Sequence, residues 1–170
     1  MKSTFVLILV FCAATALAQT AEAPGCGPAN VKFDVKTDKN QHPVAQPEAG
    51  KALVYFIEDD SEFQSHPKPT TRIGVDGKWV TANKGNSFSY SFLDPGEHHL
   101  CSSPQSFELS HEITTAAAHF TAEEGKVYYF AVKNRWLLGS MIMHVELTPL
   151  DSDEGQLLAS KYALSSSHPK

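Results

Sequence analysis

The sequence predicts a mainly β protein, an antiparallel β-sandwich of about eight strands closed by one C-terminal helix. Three observations carry this. Asp76-Gly77 separates Thr71-Arg72-Ile73-Gly74-Val75 from Lys78-Trp79-Val80, the pattern of a two-residue hairpin turn that needs positive φ. Asp94-Pro95-Gly96-Glu97 separates Ser87-Phe88-Ser89-Tyr90-Ser91-Phe92 from His98-His99-Leu100-Cys101 and reads as the turn of a second tight hairpin, with Pro95 presetting φ and Gly96 accepting the left-handed position after it. The other apolar stretches are short and strand-like, and helical spacing sets in only after Leu150.

Along the chain, residues 19–30 are rich in Ala, Pro and Gly and read as a flexible leader. Val31-Lys32-Phe33-Asp34-Val35 alternates as a first strand, and residues 37–50 form a loop without periodicity. Ala52-Leu53-Val54-Tyr55-Phe56-Ile57 is apolar on both faces, as a strand covered on each side should be. Residues 58–69 form a polar loop. In the first hairpin Val75 pairs with Lys78, Gly74 with Trp79 and Ile73 with Val80. That places Ile73, Val75 and Val80 on one face and Trp79 over Gly74 on the other, an aromatic shield for a strand glycine.

Phe88, Tyr90 and Phe92 then form a buried face, with Ser87, Ser89 and Ser91 on a wet one. Residues 113–120 read as a strand on account of their threonines. Val127-Tyr128-Tyr129-Phe130-Ala131-Val132 is apolar on both faces, and Met141, Met143, Val145 and Leu147 alternate with Ile142, His144, Glu146 and Thr148. Asp151 caps a helix, with Glu154 three residues on and Leu157, Leu158 and Tyr162 as its apolar stripe. Gly155 weakens that helix by about 1 kcal/mol against alanine. The single domain thus spans 31–164, and residues 165–170 read as a disordered tail.

The first eighteen residues read as a cleaved signal peptide. Lys2 gives a positive start, residues 5–17 are almost wholly apolar, and Ala16-Leu17-Ala18 is an A-x-A site. An uncleaved anchor is the alternative, but the apolar run is short for a membrane span. Phe11 before Cys12 does not suit lipid attachment, which wants a small residue there. Cleavage after Ala18 leaves 152 of the 170 residues and, with Lys2 gone, moves the formal net charge from −5 to −6. A mildly acidic export product without a basic cluster argues against nucleic acid and anionic membranes as partners. The cleaved chain keeps only Cys26 and Cys101, an even pair expected to bond in an oxidising compartment; a reactive or metal-binding thiol is the alternative.

Candidate chemistry is sparse. His98, His99 and Cys101 are the main cluster of soft ligands, with His111 and His119 as weaker candidates from a neighbouring strand. Hydrogen-bonded or solvated histidines are the simpler reading. Glu58-Asp59-Asp60-Ser61-Glu62 lacks the pattern of a calcium loop and reads as a solvated turn. Leu138-Gly139-Ser140-Met141 is no nucleophile elbow, and the chain has no C-x-x-C, H-E-x-x-H or phosphate-cradling loop. Arg135 and Trp136, together with Trp79, are candidate interaction residues, since Trp and Arg dominate binding hot spots. The alternative for Trp136 is that it closes one end of the sandwich, and for Trp79 local packing.

Val75-Asp76-Gly77-Lys78 followed by Leu93-Asp94-Pro95-Gly96-Glu97-His98-His99-Leu100 resembles the PEGA-type hairpin repeat of bacterial envelope proteins. Lys51-Ala52-Leu53-Val54-Tyr55-Phe56 lies ahead of that pair. Glu123-Glu124-Gly125-Lys126-Val127-Tyr128-Tyr129-Phe130 and a closing helix near Glu154-Gly155 follow it. This order is similar to a bacterial exported family known as a domain of unknown function, number 2846 in its series. The resemblance spans residues 50–162 and implies an extracytoplasmic sandwich, Ig-like or transthyretin-like, with no activity or catalytic residue to carry over. The expected function is an exported envelope or periplasmic module, non-enzymatic, without cofactor, binding an envelope protein or a surface polymer. The alternative is a periplasmic metal-binding protein using His98, His99 and neighbouring histidines.

Export predicts cleavage between Ala18 and Gln19. Intact-mass and N-terminal analysis of the secreted form should find a chain beginning at Gln19; a chain in the membrane fraction still beginning at Met1 contradicts it.

Overall fold

A computed structural model describes residues 24–63, 65–105, 112–136 and 141–170. The expected signal peptide, its cleavage site, residues 19–23, His111 and Leu138-Gly139-Ser140 lie outside them. Eleven strands and one helix are described, more than the eight expected. In chain order they are β1 (Phe33–Asp38), β2 (Ala52–Glu58), β3 (Thr70–Val75), β4 (Lys78–Lys84), β5 (Ser87–Leu93), β6 (Gly96–Pro104), β7 (Glu112–Ile113), β8 (Ala116–Ala122), β9 (Val127–Trp136), β10 (Ile142–Leu150), α1 (Ser152–Lys161) and β11 (Ala163–Pro169). Two sheets form, one ordered β1-β11-β5-β2-β9-β10-β7 and the other β4-β3-β6-β8. The smaller sheet is antiparallel throughout. The larger is mixed, because β2 runs parallel to β9, β5 to β11 and β7 to β10.

Every residue of β2 is buried, because the strand is covered on both faces. Val54 and Phe56 join Ile73, Leu100, Phe130 and Val132 in the core between the sheets. Leu53, Tyr55 and Ile57 point the other way and meet Phe88, Tyr129 and Tyr162 beneath the helix. Burying both faces removes apolar area from water twice over, at about 25 cal/mol per Å².

The outer layer reverses one expectation. Phe88, Tyr90 and Phe92 belong to the outer cluster with Tyr55, while Ser87 and Ser89 are buried on the opposite side of β5. The serine face is therefore not the wet face. The helix gives the aromatics an apolar cover, and the Ser87 hydroxyl accepts from the Lys84 N–H at 3.0 Å and the Ser165 hydroxyl at 2.8 Å.

Four further corrections concern the ends and two turns. Asp94-Pro95-Gly96-Glu97 closes no hairpin: β5 pairs with β2 and β11 in the larger sheet and β6 with β3 and β8 in the smaller, so this turn carries the chain from one sheet to the other. Residues 165–170 are not a tail: most of them belong to β11, which pairs with all of β1 and begins beside β5. Their small, alternating side chains carry little sequence signal for a strand that gets its stability from its neighbours. Residues 24–30, expected as flexible leader, dock on the smaller sheet. There Arg72 donates to the Ala29 and Val31 carbonyls at 3.0 and 2.7 Å and Trp79 Nε1 to the Pro28 carbonyl at 2.8 Å. In the first hairpin Val75 faces Lys78 and Gly74 faces Trp79 as expected, but Ile73 faces Thr81. A bulge inserts one residue there and turns Val80 out to solvent.

Asp151 caps α1 by accepting from the Asp153 and Glu154 N–H groups, each at 2.9 Å. Leu158 and Tyr162 face the sheet as expected, whereas Leu157 is 65% exposed. Gly155 is the helix's buried residue. A Cβ there would sit 2.6 Å from Tyr129 Cβ and Cδ1 and closer still to Cγ, so the glycine lets the helix backbone lie directly on the aromatic ring. Gly155→Ala should therefore destabilise, by about 1–3 kcal/mol of overpacking that outweighs the ~1 kcal/mol gain in helix propensity. Thermal unfolding checks the sign: a higher melting temperature in the variant would mean that the helix is free to shift away from Tyr129.

Candidate functional site

The hairpin histidines are tied into the fold. His98 lies between the two turns, its Nδ1 2.6 Å from Asp76 Oδ2 and its Nε2 2.7 Å from the Asp94 carbonyl oxygen. Both partners accept, so both ring nitrogens must donate and the imidazole is charged when both bonds form. Partial burial opposes that charge, but the Asp94 carbonyl and the Asp76 carboxylate outweigh it and raise the His98 pKa. Asp76 also takes the His99 N–H at 2.8 Å. His99 and His119 face each other across β6 and β8, with ring centroids 6.5 Å apart. Cys101 is joined to Cys26 with a Cα–Cα distance of 5.0 Å. Among the described residues no group of three or more His, Cys, Asp or Glu is placed to hold a metal ion. The disulfide closes a loop with a sequence separation of 75, for which the chain-entropy model gives about 4 kcal/mol.

The candidate interaction residues make contacts within the fold. Arg135 pairs with Glu146 at 2.9 Å and Glu62 at 3.5 Å. Trp136 packs against a small cluster of Phe63 and Met143, which matches the alternative of an end closure. Trp79 covers Gly74, and the Arg72 guanidinium lies 4.4 Å from its ring.

The acidic run is not a solvated turn. Glu58 and Asp60 are fully buried at 0% exposure, where they meet Asn134 and Thr71. Asn134 Nδ2 donates to Glu58 Oε1 and to Asp60 Oδ1, each at 3.0 Å, and the Thr71 hydroxyl donates to Glu58 Oε1 at 3.3 Å. The second oxygen of each carboxyl group, Glu58 Oε2 and Asp60 Oδ2, is buried without a hydrogen-bond partner among the described residues, which favours the protonated, neutral form. Burial, followed by the charge of Asp60, pushes the Glu58 pKa well above the carboxylate range. Burial raises Asp60 as well, although Glu58, Asn134 and Lys68 oppose it. The alternate residue Asp59 faces outward to the helix end, taking the Tyr162 hydroxyl at 2.6 Å. With no exposed surface, the Glu58–Asp60 pair holds the end of β2 to β3 and β9 rather than offering acid–base groups to a substrate.

The site the sequence did not reveal lies on the outer face of the larger sheet. A cleft of about 570 Å³ opens between residues 42–46 and α1, floored by Tyr55 and Tyr129. The two rings stack with centroids 5.1 Å apart at 18°. The loop is held in place by the Ala45 N–H, which donates to the Tyr55 hydroxyl at 3.0 Å. Val44, Val127 and Leu157 line the cleft and are 83%, 38% and 65% exposed. No Asp, Glu, Lys or Arg lines it; the polar side chains are those of His42, Gln46, Gln156 and Ser160. Burial raises the pKa of both floor tyrosines, so the floor is neutral.

No family model matches the chain, and no curated protein matches it. Among the described residues no helix is long and apolar enough to cross a membrane.

The raised pKa of buried Glu58 sets a pH dependence. A carboxyl group whose pKa is raised on folding contributes stability below its unfolded pKa, about 4.3 for Glu, and loses it as pH rises through the folded value. Glu58→Gln keeps the size of the side chain and removes that titration. Chemical denaturation from mildly acid to mildly alkaline pH should show wild type losing stability relative to the variant, by up to about 1.4 kcal/mol per pH unit. Parallel profiles would place the titration elsewhere.

Proposed function

We propose that this protein is an exported, extracytoplasmic binding module that holds a neutral small molecule with an apolar body in the cleft between residues 42–46 and α1. The observation that carries the reading is the concentration of exposed Val44, Val127 and Leu157 around one concavity with a stacked-tyrosine floor. Exposed apolar residues scattered singly need no explanation, whereas several lining one cleft mark a binding surface. Its volume falls within the ~300–1,000 Å³ of small-molecule sites. A lining without carboxylate, ammonium or guanidinium groups favours a neutral ligand, because a charged one would leave its solvation shell without an opposite charge to meet.

Several features support the wider reading. The Cys26–Cys101 pair suits an oxidising compartment, and the order of turn motifs supports kinship with the exported domain family. The cleft offers positioning and apolar contact but no paired acid and base, which favours holding a ligand over transforming it. The metal-binding alternative draws less support. His98 is engaged by two acceptors and the Cys101 sulfur is bonded, so of the candidate ligands among the described residues His99 and His119 remain, where a catalytic zinc uses three.

Titration of the exported protein with a neutral fluorophore such as Nile red should give saturable binding with enhanced emission. Leu157→Asp and Val44→Asp each place a charge on a cleft wall at an exposed position. Each should weaken binding by about tenfold or more while leaving thermal unfolding nearly unchanged. Equal binding in both variants would move the site elsewhere, and no saturable binding in wild type would remove the small-molecule reading.

A further inference from the structure

Resting on that reading, we propose that the ligand is an elongated, unbranched molecule that crosses Val127 and reaches a second cavity. The second cavity measures about 200 Å³, and it shares Val127 and Tyr129 with the cleft. Its other walls include Ala118 and Phe120 of β8, Tyr128 of β9, Leu150 at the end of β10 and Ser152 at the start of α1. By itself this volume is below the ~300 Å³ of a stand-alone small-molecule site, so it reads as an extension of its neighbour.

The strand pairing accounts for the opening. β10 pairs with β9 only as far as Tyr129, opposite Leu150, and then the chain leaves the sheet to enter α1. Val127 and Tyr128 thus extend past the last paired residue of β10. Because strand residues alternate in direction, Tyr129 faces the helix side and joins the outer cluster, while Tyr128 packs against the core between the sheets. The smaller cavity touches both residues and so leads around the edge of β9 from one layer toward the other. Val127, 38% exposed, lies between the two spaces and lines both.

Shape follows from that arrangement. A compact, branched body would fill the larger cleft and stop at Val127. An unbranched chain lies across the valine and buries further methylenes against Phe120, Tyr128 and Leu150. The lining of the smaller cavity again contains no Asp, Glu, Lys or Arg, with His119 on its wall as His42 is on that of the larger, so neither space offers a carboxylate, ammonium or guanidinium partner to a charged ligand.

The test is displacement of bound Nile red by a series of straight-chain primary alcohols, from hexanol to dodecanol, against the exported protein. Wild-type affinity should climb about fourfold for each methylene buried, the equivalent of ~0.8 kcal/mol, until both cavities are full. Ala118→Leu narrows the smaller cavity, and Ser152→Trp, at an exposed helix position, covers it without touching the core. In either variant the climb should stop earlier, with long alcohols losing about tenfold or more and hexanol unchanged. If chain length gives the same profile in wild type and in folded variants, the smaller cavity is unused and the elongated-ligand proposal falls while the cleft reading stands. If Nile red itself shows no saturable binding, both fall.

Discussion

The rest of the structure depends on the double burial of β2. A strand with no solvent-facing side needs a layer on each face, and the two layers are of different kinds. On one side the smaller sheet supplies Ile73, Val75 and Leu100. On the other, the long loop before β2 and helix α1 supply Ala45, Leu158, Ala159 and Tyr162. A loop and a helix do not interlock as two sheets do, so their junction over Tyr55 and Tyr129 leaves the cleft. The candidate site is thus a consequence of how the outer face of the central strand is covered.

The same strand ends in polar contacts that fix its position. Glu58 ends β2 and Asp60 follows it in the protein interior, where the amide of Asn134 on β9 donates to one oxygen of each. Burying two carboxyl groups so close together is tolerable because burial raises the pKa of both and so favours the protonated form. Asp59, between them, anchors the far end of α1 through Tyr162. Alternation along three residues therefore ties β2 to its sheet on one side and to its helical cover on the other. At the opposite end of the molecule His98 joins the Asp76 hairpin turn to the Asp94 turn between the sheets, one ring bonded to two acceptors.

Much of this was legible in local sequence, and the misses share a cause. The Asp76-Gly77 hairpin turn, the buried runs of β2 and β9, the Asp151 cap and the Cys26–Cys101 pair are written in short patterns whose chemistry is local or compositional, whereas the Asp94-Pro95-Gly96 turn was legible as a turn but not as the passage between sheets that it is. What failed required knowing what lies above a given face. Ser87 and Ser89 look wet by polarity but face inward, because the aromatics between them found a cover on the other side. Gly155 looks like a weakness in a helix but is the point of closest approach to Tyr129. Val80 was displaced by a single-residue bulge, which alternation alone does not reveal. The acidic run looked solvated because Asn134, its partner, lies 74 residues away.

By itself the sequence determined the class of fold, most of the strands, the two turns and the pairing of the cysteines, since each follows from backbone φ preferences, side-chain period or a count of residues. Only the tertiary structure decided which face of β5 is buried, that residues 165–170 complete a sheet, and that Val44, Val127 and Leu157 meet around one cleft. Those three valine and leucine side chains come from a loop, a strand and a helix, so no periodicity relates them. A ligand site assembled from separate layers is a property of how the layers stack, and stacking is set by long-range packing that leaves no local pattern.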